Sequence, residues 1–124
     1  HDNAAALPLL EQSLALASQA GDKAVMSEAL RHLGIAAYRN GDLETARQRL
    51  EEATRLRRET GHLPAAAANM IGLAYIAAAQ ERGSDALALL DEADAIARAG
   101  QTHRIVQQVS EARAELSDQQ ASQA

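Results

Sequence analysis

Cysteine, phenylalanine and tryptophan are absent from this chain, and proline occurs only at Pro8 and Pro64. Without cysteine there are no disulfides and no thiolate metal sites, which fits a reducing compartment. With Tyr38 and Tyr75 as the sole aromatic residues, a wide core of large side chains cannot form. A thin core can, provided that helices approach closely. Alanine, the best helix former, is abundant, and runs of β-branched residues are missing, so strands are not expected. Long apolar runs are missing too, and a bilayer-spanning helix needs about 20 such residues. No signal peptide is visible, and the opening "HDNAAALP" lacks Met, so the chain reads as an excised piece of a cytoplasmic protein. Nor is there an excess of positive charge. The net charge of −5 argues against non-specific nucleic-acid binding as the main role. At 124 residues the chain is one domain or part of one.

What the sequence does contain is repetition. "ALPLLEQSLALASQAG" from Ala6, "ARQRLEEATRLRRETG" from Ala46 and "ALALLDEADAIARAG" from Ala86 start forty residues apart. Leu10, Leu50 and Leu90 keep that interval, as do Ser13, Ala53 and Ala93, and Leu16, Leu56 and Ile96 follow. Within each copy these positions fall on one face of an α-helix, here called a B helix. Between them lie A helices. The first carries Val25, Met26, Ala29, Leu30, Leu33 and Ala37. The second carries Ala67, Ala68, Ile71 and Tyr75, and the last Ile105, Val109, Ala112 and Leu116.

Turn and cap residues punctuate this pattern. Gly21-Asp22 and Gly61-His62 open the first two A helices, and Thr102 can cap the third. Asp42 and Ser84 are the expected N-caps of the following B helices. Gly34 lies 12 residues before Ala46, and Gly72 lies 14 before Ala86, so the second A-to-B link is expected to be two residues longer. Pro8 should stand in the first turn of its helix, which then begins near Leu7, because a deeper proline removes a hydrogen bond and clashes with an earlier carbonyl. The order is B, A, B, A, B, A in one array over 1–118: a half repeat at 1–21, repeats at 22–61 and 62–100, and a terminal helix at 101–118. The polar tail at 119–124 is expected to fray. A single amphipathic pair cannot bury both of its apolar faces, so stacking the next pair is what stabilises such an array.

At Leu33-Gly34, Tyr38, Gly41-Asp42, Ala46, Leu50 and Ala53 the chain resembles a tetratricopeptide repeat. The resemblance continues at Ile71-Gly72, Tyr75, Ala86, Leu90 and Ala93. It covers about residues 23–100 as two whole repeats, with half repeats at each end. Glycine and alanine at these places let A and B helices approach closely. The sequence departs from the family where Leu30 or Ala68 replaces the usual Trp, where no proline follows helix B, and in a period of forty. The long form resembles arrays in bacterial signal-transduction ATPases and transcription regulators. The resemblance implies an all-α, right-handed superhelix that binds proteins or peptides, without enzymatic activity, cofactor, metal or membrane contact.

Other candidate chemistry is thin. "DEAD" at Asp91 to Asp94 has no phosphate-binding glycine loop before it, and it aligns with "EEAT" of the preceding repeat, so Asp91 and Asp94 read as the wet face of a helix. Arg47, Arg49, Arg55, Arg57 and Arg58 alternate with Glu44, Glu51, Glu52 and Glu59, which makes a solvated helix face rather than a basic patch. His62 and His103 follow successive B helices, but two histidines do not make a zinc site, which takes three or four protein ligands, and His32 stands apart in mid-helix beside Arg31.

The resemblance directs attention to the concave surface lined by A helices. Carried onto this chain, its inward positions are Glu28, Arg31, His32, Ile35, Tyr38 and Arg39 in the first full repeat. In the second they are Ala66, Asn69, Met70, Leu73, Ile76 and Ala77. Arg31, Tyr38, Arg39 and Asn69 could hydrogen-bond an extended peptide, while Ile35, Leu73 and Ile76 pack on its side chains. Chaperone-binding members hold a terminal carboxylate with a Lys/Asn clamp, but Ile35 and Met70 stand where the clamp has Asn. The alternative is self-association. The first helix carries Leu9, Leu10, Leu14 and Leu16 on more than one face, and a homodimer through this half repeat would cover them.

Overall fold

The computed structural model describes the backbone of residues 3–123 and the side chains of residues 6–119. The chain forms α1 (Asn3–Ala20), α2 (Lys23–Arg39), α3 (Leu43–Glu59), α4 (Leu63–Ala79), α5 (Gly83–Ala99) and α6 (His103–Gln123). No strand occurs among the described residues. The helices form two compact units, α1–α3 and α4–α6.

In the first unit α2 packs on both α1 and α3. Gly34 permits the α2–α3 approach: a Cβ there would lie 3.0 Å from Leu50 Cγ and 3.4 Å from the Ala46 carbonyl oxygen. Leu30, Ala53 and Leu56 are buried together, with Leu14 and Met26 against them. In the second unit α4 lies against both α5 and α6. Its core joins Met70, Ala74 and Ala77 to Leu90, Ala93 and Ala97 and to Ile105, Val109 and Leu116. Small residues at the contact points keep this core thin.

The turns repeat at half the sequence period. Gly21, Gly41 and Gly61 have positive φ, and so do Glu81 and Gln101, each twenty residues after the last. The same bond closes all five turns; Asp22 N–H donates to the Ala17 carbonyl at 2.9 Å and His62 N–H to Arg57 at 2.8 Å, and the other three follow suit. Asp42 N–H donates to the Ala37 carbonyl at 2.9 Å, Arg82 N–H to Ala77 at 2.8 Å and Thr102 N–H to Ala97 at 2.8 Å. The bond from the residue after the left-handed position back to the last helical turn is the Schellman closure. It recurs here on glycine and non-glycine alike.

Four expectations from the sequence are corrected. The link from α2 to α3 and that from α4 to α5 are equally long, each running between helices that end and begin forty residues apart. What moves is the glycine: Ala74, fully buried, holds the position equivalent to Gly34, and Gly72 lies off it. Ser84 is not an N-cap. α5 starts at Gly83, and its cap position is Arg82, which makes no side-chain cap bond. Asp22 and Asp42 do cap, accepting from Val25 N–H at 3.1 Å and Thr45 N–H at 3.3 Å. α1 begins at Asn3 with Pro8 inside it. The run of alanines before Pro8 and of leucines after it favours helix on both sides, which offsets the one backbone bond that proline cannot donate. Finally, α6 continues to Gln123, past the boundary at 118.

Candidate interaction face

The exposed side of α2 brings together most of the first group of expected groove residues. Glu28, His32, Tyr38 and Arg39 are exposed, and Arg31 and Ile35 are half-buried. The positions recur at intervals of three and four, so they share a helix face. Glu28 is held from two sides: its carboxylate accepts from Arg57 of α3 at 3.0 Å and meets His32 Nε2 at 3.1 Å. Arg39 has no ionic or hydrogen-bonding partner among the described residues. It stands at the rim of a groove of about 430 Å³ between α1 and α2, lined by Leu7, Leu10, His32, Ile35 and Ala36. A second hollow of about 340 Å³ shares Leu10 and His32 and extends the groove to Val25 and Glu28.

The second group is placed differently. Asn69, Met70, Leu73 and Ile76 are all buried, as are Ala66 and Ala77. Met70 and Ala77 belong to the core of the α4–α6 unit. The sequence alignment carried the first repeat onto the second with an offset of 38, following Gly34 to Gly72. The helices repeat at forty, so that offset turned the chosen positions from the outer face of the helix to its packed one.

Two residues that sequence reasoning left out belong to the groove: Leu7 and Leu10 of α1. Leu10 shares the register of Leu50 and Leu90, both buried, and that shared position was the signal for an apolar surface on α1. Leu9 and Leu16 of the same helix are 67% and 57% exposed. They are two of the four leucines that the half-repeat argument singled out; the other two, Leu10 and Leu14, are half-buried.

The arginines of α3 are taken up by carboxylates. Arg47 pairs with Glu44 and Glu51, and Arg55 pairs with Glu59 at 2.6 Å and Glu52 at 3.1 Å. Arg57 and Arg49 reach Glu28 of α2 and Glu11 of α1. The Arg55 hydrogen bond, seconded by Lys23, holds the Glu59 carboxyl below its ordinary value of 4.5. The Glu44 and Glu51 hydrogen bonds hold the Arg47 guanidinium above its own. This surface is internally neutralised and offers little attraction to an anionic ligand.

In the "DEAD" stretch Asp91 is exposed and pairs with Arg113 at 2.7 Å. Asp94 departs from the wet-face reading. Its side chain is 17% exposed, Oδ2 accepts from Arg98 Nε at 2.8 Å, and Oδ1 is buried without a partner among the described residues. No cluster of three or more His, Asp or Glu that could hold a metal occurs among the described residues, and no described helix is long and apolar enough to cross a membrane.

A family described as tetratricopeptide repeat matches residues 1–59, just under half of the chain. No curated protein and no solved structure matches. The matched residues contain α1, α2 and α3, and α4 and α5 have the same 17-residue length as α2 and α3, with the same turn geometry after each. Residues 1–59 therefore match the tetratricopeptide repeat family, whose repeats generally mediate contacts between proteins.

Proposed function

We propose that this chain is a non-catalytic binding module that takes a protein or peptide on the exposed face of α2, at Glu28, Arg31, His32, Ile35, Tyr38 and Arg39. The observation that carries the reading is Arg39, an exposed cation without a partner among the described residues, at the rim of an apolar groove. Apolar packing from Ile35, Leu7 and Leu10 would supply affinity, while Arg39 and Tyr38 would fix orientation. The arginines of α3 are excluded because glutamates already satisfy them. The resemblance to long-repeat arrays extends the proposal to a cytoplasmic segment of a bacterial regulatory protein, with no nucleic acid bound by the segment itself.

A second reading, self-association without a peptide ligand, is favoured by the exposed Leu9 and Leu16. The assignment to the α2 face, against the arginines of α3, is tested in one experiment. A partner captured by the purified chain and then identified is titrated against Tyr38→Ala/Arg39→Ala and against Arg55→Ala/Arg58→Ala. The α2 pair should weaken binding by about 2 kcal/mol or more if these are hot spots, and the α3 pair by a few tenths. The opposite ranking sinks the assignment of the face.

A further inference from the structure

The groove between α1 and α2 has a counterpart in the second unit, and there it is filled. α5 and α6 repeat α1 and α2 with an offset of eighty, and α4 lies against both of them. Leu90, Ala112 and Leu116 are buried in the core that α4 helps to form. The residues at those positions in the first unit are Leu10, His32 and Ala36, which line the open groove. The groove runs along α2 from Val25 to Arg39. That is about 20 Å at the rise of an α-helix, enough for about four turns of a helical occupant.

We propose that the occupant is α6 of a second copy of this chain, seated head to tail. This deepens the assignment of the α2 face above and rests on it. The register comes from the chain's own packing: Tyr75 of α4 donates to Glu115 of α6 at 2.5 Å, so equivalent positions forty apart meet across neighbouring A helices. Carried to an α6 lying beside α2, this places Glu111 opposite Arg31, Glu115 opposite Ile35 and Asp118 opposite Tyr38, next to Arg39. Acidic residues on α6 thus meet the basic face of α2. Neither Asp118 nor Arg39 has an ionic partner among the described residues, and both are exposed. Ser110, Ala114 and Ser117 are also exposed on α6. They are small enough for the close approach to α1 that Gly34 allows between α2 and α3.

Such a contact uses different surfaces on the two copies, so it does not close at two; each added copy presents the same two surfaces again. Sedimentation velocity on the 124-residue chain, from micromolar to millimolar, should show a weight-average size that climbs without a plateau at the dimer. Arg39→Glu and Asp118→Arg should each weaken association by about tenfold or more, through like-charge contact. The doubly reversed chain should recover most of it, with the helical circular dichroism of all four proteins alike. A strict monomer at every concentration, a plateau at two, or a double variant no better than the single ones overturns the proposal. If the chain is monomeric while Tyr38→Ala/Arg39→Ala still weakens an identified heterologous partner, the α2 face stands and the second copy falls.

Discussion

Single positions carry the clearest tests of how the repeat is built. Glu81 occupies the left-handed turn position that glycine holds at Gly21, Gly41 and Gly61. An L side chain there costs roughly 1–2 kcal/mol, partly offset by the greater freedom that glycine has in the unfolded chain. Glu81→Gly should therefore raise stability by up to about 1 kcal/mol, and Gly41→Ala should lower it by about 1 kcal/mol. Urea denaturation of both variants decides the matter, and a destabilised Glu81→Gly would show that the side chain is held by something else. Asp94 offers a second test. Its equivalent in the preceding repeat is Thr54, buried, whose hydroxyl donates to the Leu50 carbonyl at 2.7 Å. Asp94 leaves one buried oxygen without a partner among the described residues. In Asp94→Thr the hydroxyl can donate to the Leu90 carbonyl. The variant should be more stable by about 1 kcal/mol, less whatever the surface pair with Arg98 contributes, typically below about 1 kcal/mol.

Helix ends show where local chemistry and packing part company. Asp22 and Asp42 satisfy backbone donors of their helices, while α5 starts at Arg82–Gly83 without such a bond. The guanidinium of Arg82 turns instead to Asp85, at 2.8 Å. Helix α5 thus begins where packing of Ala86, Leu90 and Ala93 requires it, not where the best capping residue stands. Asp42→Ala should cost about 1 kcal/mol of stability in thermal or chemical unfolding. Ser84→Ala, one residue inside the helix, should cost nearly nothing; a loss as large as that of Asp42→Ala would restore Ser84 as a cap. Pro8 makes the same point from the other direction. Its position in the forty-residue register, with Asp2 matching Asp42, located the start of α1 better than the rule that keeps proline out of helix interiors.

Across the molecule, function divides between what the helices bury and what they leave open. Met70 is 2% exposed and sits in the α4–α6 core, whereas Tyr38 is 39% exposed on α2. Met70→Ala should lose about 2–5 kcal/mol of stability, and Tyr38→Ala should lose less than about 0.5 kcal/mol. Guanidinium melts of the two variants side by side measure this. A stable Met70→Ala would return that residue to the surface and to the list of groove candidates. The α3 charges, by contrast, pair with one another and with α1 and α2, whereas Arg39 of α2 is exposed beside the groove.

Much of this architecture is written in the order of the residues. Alanine content, the absence of large aromatics and the forty-residue interval of Ala6, Ala46 and Ala86 dictate thin, closely packed helix pairs, because helix formation and the period of an apolar stripe are local properties. The B helices, where that interval is strict, were largely legible in α3 and α5: Ala46, Leu50, Ala86, Leu90 and Ala93 are all buried, but Ile96 is half-buried and Leu16 of α1 is exposed. The register of α4 was not. Its sequence, "LPAAAANMIGLAYIAAA", is apolar on nearly every side, so periodicity could not say which face was turned inward. The glycine that seemed to mark the close approach was two residues off it. Only the tertiary structure decided it: Ala74 and Met70 join the core with α5 and α6, and Asn69, Leu73 and Ile76 are buried as well. The open groove on α1 and α2 is likewise a tertiary fact, because it exists only where Leu7 and Leu10 of α1 stand beside Ile35 and Ala36 of α2.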